Sequence, residues 1–368
     1  MAVTVSRGLR LAVGAPLALI VLVAGFLLFH GDFGRWSDNS ALDDACAGLL
    51  DRSAVRGVLG TGDADVEGLG GALAHCRVTV EGGGSAEIQV DDTAQALRSA
   101  AGVPAAGGDG LAVPVGHGWS GLFNAEFDTS RPEQGNGVEG TVLLLLTCTG
   151  TGGPDGLAVS VRSTLDGSLD DPANRPRYAR IATSTAAEAA KAQHCATQLG
   201  SSVKSLGLPV TKDQYQPIGS ADGTCAGLSA ARGLRVATET ARGGAPTEMC
   251  RLADTAGTLE DDLTAFFGPY AEEELRYHEE RGYGEGPTHD RPARQRTADG
   301  RVGWTSAECL DGRALFTVRV GTAGASGSVR KPPSAAADLV AERTLLTAFA
   351  ARSAKAHGCS APRPIPAG

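Results

Sequence analysis

Eight cysteines, at positions 46, 76, 148, 195, 225, 250, 309 and 359, fall into two sets of four whose neighbourhoods match in order. CAGLL at 46–50 answers CAGL at 225–228, and SAVRGVL at 53–59 answers SAARGLR at 229–235 after a three-residue deletion. Cys76-Arg77-Val78 answers Cys250-Arg251-Leu252, and KAQHC at 191–195 answers KAHGC at 355–359. Successive cysteines stand 30, 72 and 47 residues apart in the first set and 25, 59 and 50 in the second. Four matches in order read as a duplicated domain, with unit one over 38–203, a linker over 204–216 and unit two over 217–361. A length of 368 residues suits two such units.

An even number of cysteines with no C-x2-C pair points to disulfides in an oxidising compartment rather than to zinc. Eight cysteines allow 105 pairings and two independent sets of four allow nine, so spacing by itself leaves the choice open. The repeat favours the same pairing in both units, and bridges from a helix to a neighbouring strand suggest first to second and third to fourth. Each loop of about 25 to 50 residues would then contribute roughly 3.5 to 4 kcal/mol by restricting the unfolded chain.

The two units read alike in secondary structure. The first cysteine opens a short helix, capped by Asp43 or Asp44 in unit one and by Thr224 in unit two. The second lies in a strand where Val78 and Val80 alternate, followed by a run alternating Ile88 and Val90. Thr141 to Cys148 is a nearly continuous apolar run and reads as a buried central strand, whereas its counterpart, Val302 to Cys309, is far more polar. A further strand follows in each unit, at 157–162 and 314–320. A long Ala-rich helix then carries the fourth cysteine, with Tyr178, Ile181, Thr185, Ala189, Ala192, Ala196 and Leu199 forming one stripe in unit one and Leu339, Leu346 and Phe349 in unit two. The fold class is α+β: two related units, each a mostly antiparallel sheet covered by helices and stapled by two disulfides. The Pro-rich stretch 362–368 reads as a disordered tail.

Ahead of all this, Leu11 to Phe29 runs nineteen residues without a charge. At 1.5 Å per residue it spans about 28 Å, close to the hydrocarbon thickness of a bilayer. It reads as a transmembrane helix and an uncleaved signal anchor, being longer than a secretory apolar region and followed by no small-residue cleavage site. Arg7 and Arg10 precede it, so the tail 1–10 is placed in the cytoplasm and everything beyond the juxtamembrane linker 30–37 outside. A lipid-modified cysteine does not fit, because Cys46 follows Leu42-Asp43-Asp44-Ala45 well past the apolar run.

The anchor, the C-A-G-L and C-R-V entries and the Ala/Arg-rich, Lys-poor composition resemble signal-anchored or lipid-anchored envelope proteins of high-GC actinobacteria of the Streptomyces type. That resemblance implies location and layout. It implies no activity and carries over no catalytic residue.

Candidate chemistry is thin. No H-E-x-x-H motif occurs among the seven histidines, and His117-Gly118-Trp119-Ser120-Gly121 lacks the last glycine of a nucleophile elbow, so it reads as a turn. His75 and His194 each precede a cysteine that the repeat assigns to a disulfide. Asp63 to Gly68 matches the first half of a calcium loop but has Ala74 where the closing Glu belongs. The glycine runs at 82–84 and 150–153 lack the features of a phosphate loop and read as turns. No metal and no cofactor is assigned. The net charge of −9, concentrated in residues 31–203 (11 basic and 22 acidic residues), argues against nucleic acid as a partner.

The segment from Phe266 to Gly300 is the least repeat-like part of the chain. It holds Tyr270, Tyr277, Tyr283, Arg291, Arg294 and Arg296, residue types in which binding energy concentrates, and is the expected partner-binding surface. The sequence therefore points to a non-catalytic, single-pass binding protein of the cell envelope. Its partners would be the bilayer, through 11–29, and an unidentified envelope protein or cell-wall component. The alternatives are a hydrolase built around His278, His289 and Asp290, or a purely structural spacer. Protease added to intact spheroplasts is expected to digest the chain beyond Gly31; protection of the whole chain would reverse the orientation drawn from Arg7 and Arg10.

Overall fold

Each cysteine set organises one antiparallel sheet. The computed structural model describes residues 32–71, 73–93, 110–127, 138–149, 153–165, 169, 171–211, 214–230, 233–256, 260–280, 287–290, 293–294, 302–310, 312–321 and 336–366. The expected transmembrane segment 11–29 lies outside them. Among the described residues no helix is long and apolar enough to cross a membrane.

The first sheet contains β1 (Ala64–Gly68), β2 (Ala74–Val80), β3 (Gly84–Asp92), β5 (Val113–Gly116), β6 (Trp119–Phe127), β7 (Val138–Thr147) and β8 (Gly156–Leu165), in the order β1-β2-β3-β8-β7-β6-β5. The second contains β10 (Gln216–Pro217), β11 (Val236–Glu239), β12 (Thr247–Ala253), β13 (Glu260–Phe267), β14 (Val302–Cys309) and β15 (Gly312–Gly321), in the order β10-β11-β12-β13-β15-β14. Five strands of each sheet follow one order, β1-β2-β3-β8-β7 against β11-β12-β13-β15-β14. The registers agree as well: Cys76 faces Ile88, and Cys250 faces Leu263. A short pair, β4 (Gly110–Leu111) with β9 (Val210–Thr211), ties the stretch between the units back to unit one.

Helices cover one face of each sheet. α1 (Asp32–Gly48), α2 (Arg52–Leu59) and α3 (Asn174–Ala192) close the first core, which holds Val78, Ile88, Val142, Leu144, Val159 and Val161. α5 (Ala336–Ala356) closes the second through Leu346, Phe349 and Ala350 against Leu252, Leu263 and Phe316. Both faces of β7 are buried, as the unbroken apolar run requires: Val142 and Leu144 face the helices while Leu143 and Leu145 face the other way. On that second face Leu122, Leu143, Leu145 and Ala158 join Phe266, Trp304 and Leu315 of the other unit, together with Tyr270, Ala271 and Leu275 from α4 (Pro269–Glu280). The two sheets are thus joined through an apolar layer to which α4 contributes. Tyr270 is fully buried in it, and its hydroxyl donates to the Leu143 carbonyl at 3.0 Å.

The pairing is Cys46–Cys76, Cys148–Cys195, Cys225–Cys250 and Cys309–Cys359, the same in both units and with no bridge between them. The repeated KAQHC and KAHGC segments owe their form to a helix stop. In unit one the Cys195 N–H donates to Ala190 O and the His194 N–H to Lys191 O; in unit two the Cys359 N–H donates to Ala354 O and the Gly358 N–H to Lys355 O. Both are Schellman caps, with His194 (φ 54°) and Gly358 (φ 66°) as the left-handed residue. The cap turns the chain so that the following cysteine meets the third one at the end of its strand.

Several expectations are corrected. Cys46 does not open a helix: it sits with Ala47 in left-handed backbone (φ 48° and 60°) at a break near the end of α1. The next helix is capped by Asp51, whose carboxylate accepts from the Ser53 and Ala54 N–H groups, rather than by Asp43 or Asp44. Thr224 caps no helix, since the segment around Cys225 is a turn and the Thr224 hydroxyl donates to Met249 O. α3 stops at Ala192, so Ala196 and Leu199 leave the stripe, and Ala192 at the helix end is exposed as they are. Asp63 to Gly68, not assigned as a calcium site because Ala74 replaces the closing Glu, is mostly strand β1. Residues 30–37, expected as a linker, are helical from Asp32 onwards.

The C-terminal stretch is not a loose tail either. The Ser360 N–H donates to Glu308 O, the Arg363 N–H to Ser306 O and the Thr305 hydroxyl to Arg363 O, while Ile365 packs on the second core. Arg294 exchanges two backbone bonds with Trp304 on the same edge of β14. An open sheet edge is a hazard for association, and here both ends of it are covered.

The caps generate a paired expectation. A non-glycine residue in left-handed backbone costs about 1 kcal/mol or more. His194→Gly should therefore raise stability by about 1 kcal/mol, and Gly358→Ala, whose added methyl meets nothing within 4 Å, should lower it by a similar amount through backbone strain alone. Chemical denaturation under non-reducing conditions checks both, and equal effects of the same sign would refute the cap assignment.

Candidate functional site

A cleft of about 960 Å³ opens between the units. Its walls are the β5–β6 turn (116–120), the end of β7 (145–147), Thr149 and residues 196–198 from unit one. Unit two contributes 244–246, 267–269 and His357. A pocket of this size lies in the range that small-molecule sites occupy. A second, smaller hollow of about 270 Å³ lies over α2, α3 and residues 200–202.

The β5–β6 turn is held by its own sequence. Gly116, His117 and Gly118 all have positive φ (70°, 58° and 83°), which the two glycines accept without strain. His117 accepts it because its ring is braced: Nδ1 lies 3.3 Å from Val115 O and Nε2 3.2 Å from the Lys204 backbone N. Since a carbonyl only accepts and an amide N–H only donates, His117 is the neutral Nδ1–H tautomer with both nitrogens engaged. The adjacent Trp119 donates from Nε1 to Ser201 O at 2.9 Å, locking the turn to the chain beyond α3.

His357 is held differently. It follows α5 directly, one residue before the left-handed Gly358, and stacks on Phe267 with ring centroids 3.5 Å apart. Its Nε2 lies 3.0 Å from Oε1 of Glu248, a carboxylate with no solvent exposure. That carboxylate also accepts from the Ser353 hydroxyl at 2.6 Å and the Gly243 N–H at 2.5 Å. Burial pushes the Glu248 pKa up, but the bonds from His357, Ser353 and Gly243 outweigh it and hold the group below the ordinary carboxylate value. An ionised Glu248 accepts only, so Nε2 of His357 must carry a hydrogen, and Nδ1 is left to the cleft. Unit one has Ala74, Gln193 and Ala189 where unit two has Glu248, His357 and Ser353, counting from the matched cysteines.

The residues singled out from sequence are dispersed. Tyr270 is corrected from partner-binding surface to buried interface, its hydroxyl pKa raised by burial. Tyr277 is half-buried and edge-on to His278, and Arg294 is half-buried with its backbone tied to Trp304. Tyr283, Arg291 and Arg296 lie outside the described residues. His278 bonds Glu274 at 3.2 Å, while His289 is clasped by Glu279 at 2.9 Å and Glu272 at 2.8 Å. Each imidazole thus serves carboxylates of α4, and the described contacts do not join the two with Asp290 into one set. The pair at the cleft that sequence reading missed is Glu248 and His357. The one signal for them was the replacement of Gln193 by His357 inside an otherwise repeated KA-x-x-C motif.

No protein-family model matches the chain, and no curated protein matches it. Among solved structures, it aligns over 86% of its length with 94% of DynU16, described as a protein in the dynemicin biosynthetic locus, at 8% identity and a TM-score of 0.15. That score carries no inference about fold or function.

The His289 clasp gives a pH expectation. Hydrogen bonds donated to Glu279 and then Glu272 raise the His289 pKa above its ordinary 6.5, and the bonds that Glu279 accepts from the His289 backbone N–H and ring lower its own. A raised folded value means the stabilisation is present in full below about 6.5 and is lost as pH rises through the folded value. His289→Gln should therefore lower the melting temperature at pH 5.5 more than at pH 9. An equal effect at both would show that the clasp does not depend on the imidazolium.

Proposed function

We propose that this chain is a non-catalytic, single-pass, membrane-anchored extracytoplasmic binding protein of the cell envelope, built from a duplicated domain, and that its ligand sits in the cleft between the units. The observation that carries this reading is the 960 Å³ cleft, walled by both units and containing an imidazole fixed by a buried carboxylate. The duplication is supported by the strand order and disulfide pattern that the two units share. The extracytoplasmic setting is supported by four disulfides and by the uncharged stretch 11–29. Moving the binding site from the 269–296 segment to the cleft follows from Tyr270, which is spent on the interface and offers nothing to a partner.

Cleft filling tests it. Thr197, which lines the cleft from the chain beyond Cys195, is replaced by Trp, and low-molecular-mass fractions of an envelope extract are screened by thermal shift. A ligand at 100 times its Kd stabilises by about 2.7 kcal/mol, a readily measured shift. At least one fraction is expected to stabilise the natural chain and not Thr197→Trp. If every stabilising fraction acts equally on both, the site is elsewhere.

A further inference from the structure

We propose that the cleft is a site for an organic ammonium group, received by His357 with Glu248 behind it. This rests on the reading of the cleft as the binding site and adds the chemistry of what enters it.

The pair is not part of the shared scaffold. Unit one builds the same strands, the same helix stop and the same disulfides with Ala74, Gln193 and Ala189 at the matching positions. Glu248 has no solvent exposure, and a carboxylate taken out of water is costly unless it is well bonded. Its three donors meet that requirement, and one of them is the imidazole at the cleft wall. An ionised Glu248 fixes the ring with Nε2–H inward, so a neutral His357 offers the cleft a lone pair on Nδ1. That atom asks for a hydrogen-bond donor. Phe267, stacked on the ring, keeps its plane from turning away.

The sign of the charge follows from what surrounds the pair. Among the described residues, no Lys, Arg, Asp or Glu side chain lines the cleft, and both nitrogens of its other imidazole, His117, are already engaged. The charged group in contact with His357 is Glu248, whereas Lys355, two residues earlier, is exposed and does not line the cleft. Two helix ends add to the Glu248 charge: α5 ends at Ala356, one residue before His357, and residues 196–198, just beyond the stop of α3, form part of the wall. Helix C-termini carry partial negative charge and favour cations. Lys191 and Lys355 stand in the last turns of these helices, but both are exposed and neither lines the cleft. An anionic ligand inside it would therefore meet the carboxylate with no Lys or Arg side chain in the lining to offset it. A donor with positive charge satisfies Nδ1 and the local field together.

The test uses the full chain in lipid nanodiscs at pH 8, with ¹⁵N-labelled histidine and backbone amides, titrated separately with n-butylammonium, n-butanol and butyrate. The probes share one apolar chain and differ in the head group. Butylammonium is expected to shift His357 Nδ1 and the amides of 196–198 and 244–246, and to bind at least tenfold more tightly than butyrate. His357→Gln, which restores the residue of unit one, should weaken butylammonium at least fivefold. Glu248→Gln should weaken butylammonium while leaving butanol within twofold. Melting temperatures confirm that both variants fold, and if Glu248→Gln does not, His357→Gln decides. Butyrate binding as tightly as butylammonium overturns the proposal. So does butylammonium shifting the cleft amides equally in the natural chain and His357→Gln, with the cleft reading left intact. If none of the three probes shifts any cleft amide, the cleft reading falls as well.

Discussion

The joint between helix end and strand end governs the geometry of this protein. In each unit a long helix stops in a Schellman cap, and the next residue is the cysteine that binds the strand. The cap supplies direction by satisfying the last carbonyls while reversing the chain. The disulfide supplies permanence, roughly 4 kcal/mol of it by restricting an unfolded loop of about 50 residues. Neither would suffice alone: a frayed helix end would let the cysteine wander, and an unbridged cap would leave the helix to slide on the sheet. His357 belongs to this joint, two residues before Cys359, so its ring is placed by the most constrained segment of unit two.

The second structural constraint is that the first sheet needs two covers. A strand reading TVLLLLT cannot show one face to water without exposing Leu143 and Leu145, and among the described residues of unit one the helices cover only one side. Unit two supplies the other cover through Phe266, Trp304 and Leu315, with α4 adding Tyr270, Ala271 and Leu275. The units are thereby fixed against each other by apolar burial, and the cleft at their junction is a consequence of that packing. Polar β14 can serve at this interface because its outer edge is bonded by Arg294 at one end and by Ser360 and Arg363 at the other.

Much of this was legible in the sequence, and the remainder was hidden for identifiable reasons. The cysteine contexts gave the pairing because both units had to solve one geometric problem with the same local motif. Alternation at Val78 and Val80 and at Ile88 and Val90 gave the strands because one face is buried throughout. The helix stop at His194 was missed because a histidine in left-handed backbone looks, in sequence, like any other helical residue. Tyr270 was misread because composition reports that Tyr and Arg are suited to binding, but not whether the partner is another molecule or the other unit. The ordered C-terminal stretch was missed because a Pro-rich segment needs no regular structure of its own to pair with an existing strand edge. Glu248 and His357, 109 residues apart in the chain, could meet only through the sheet and helix that carry them.

Comparison of two carboxylates shows why position decides role. Glu239 accepts from Gln216 Nε2 and from the backbone N–H groups of Asp222, Gly223 and Cys225. Three of the four donors belong to the turn that presents Cys225 to Cys250 and the fourth comes from β10, so Glu239 does for unit two what the two helices around Cys46 do for unit one. Its work ends in the scaffold. Glu248 has a comparable set of donors, yet one of them, His357, stands at the wall of the cleft and transmits the buried charge to it. A hydrogen bond to a charged group is worth about 1.5 to 3 kcal/mol, so both carboxylates can be accommodated by their donors. They differ in what lies beyond the donors, backbone in the first case and an open cleft in the second. The same physical device, a carboxylate satisfied on every side, therefore stiffens a turn at one site and orients an imidazole toward solvent at the other.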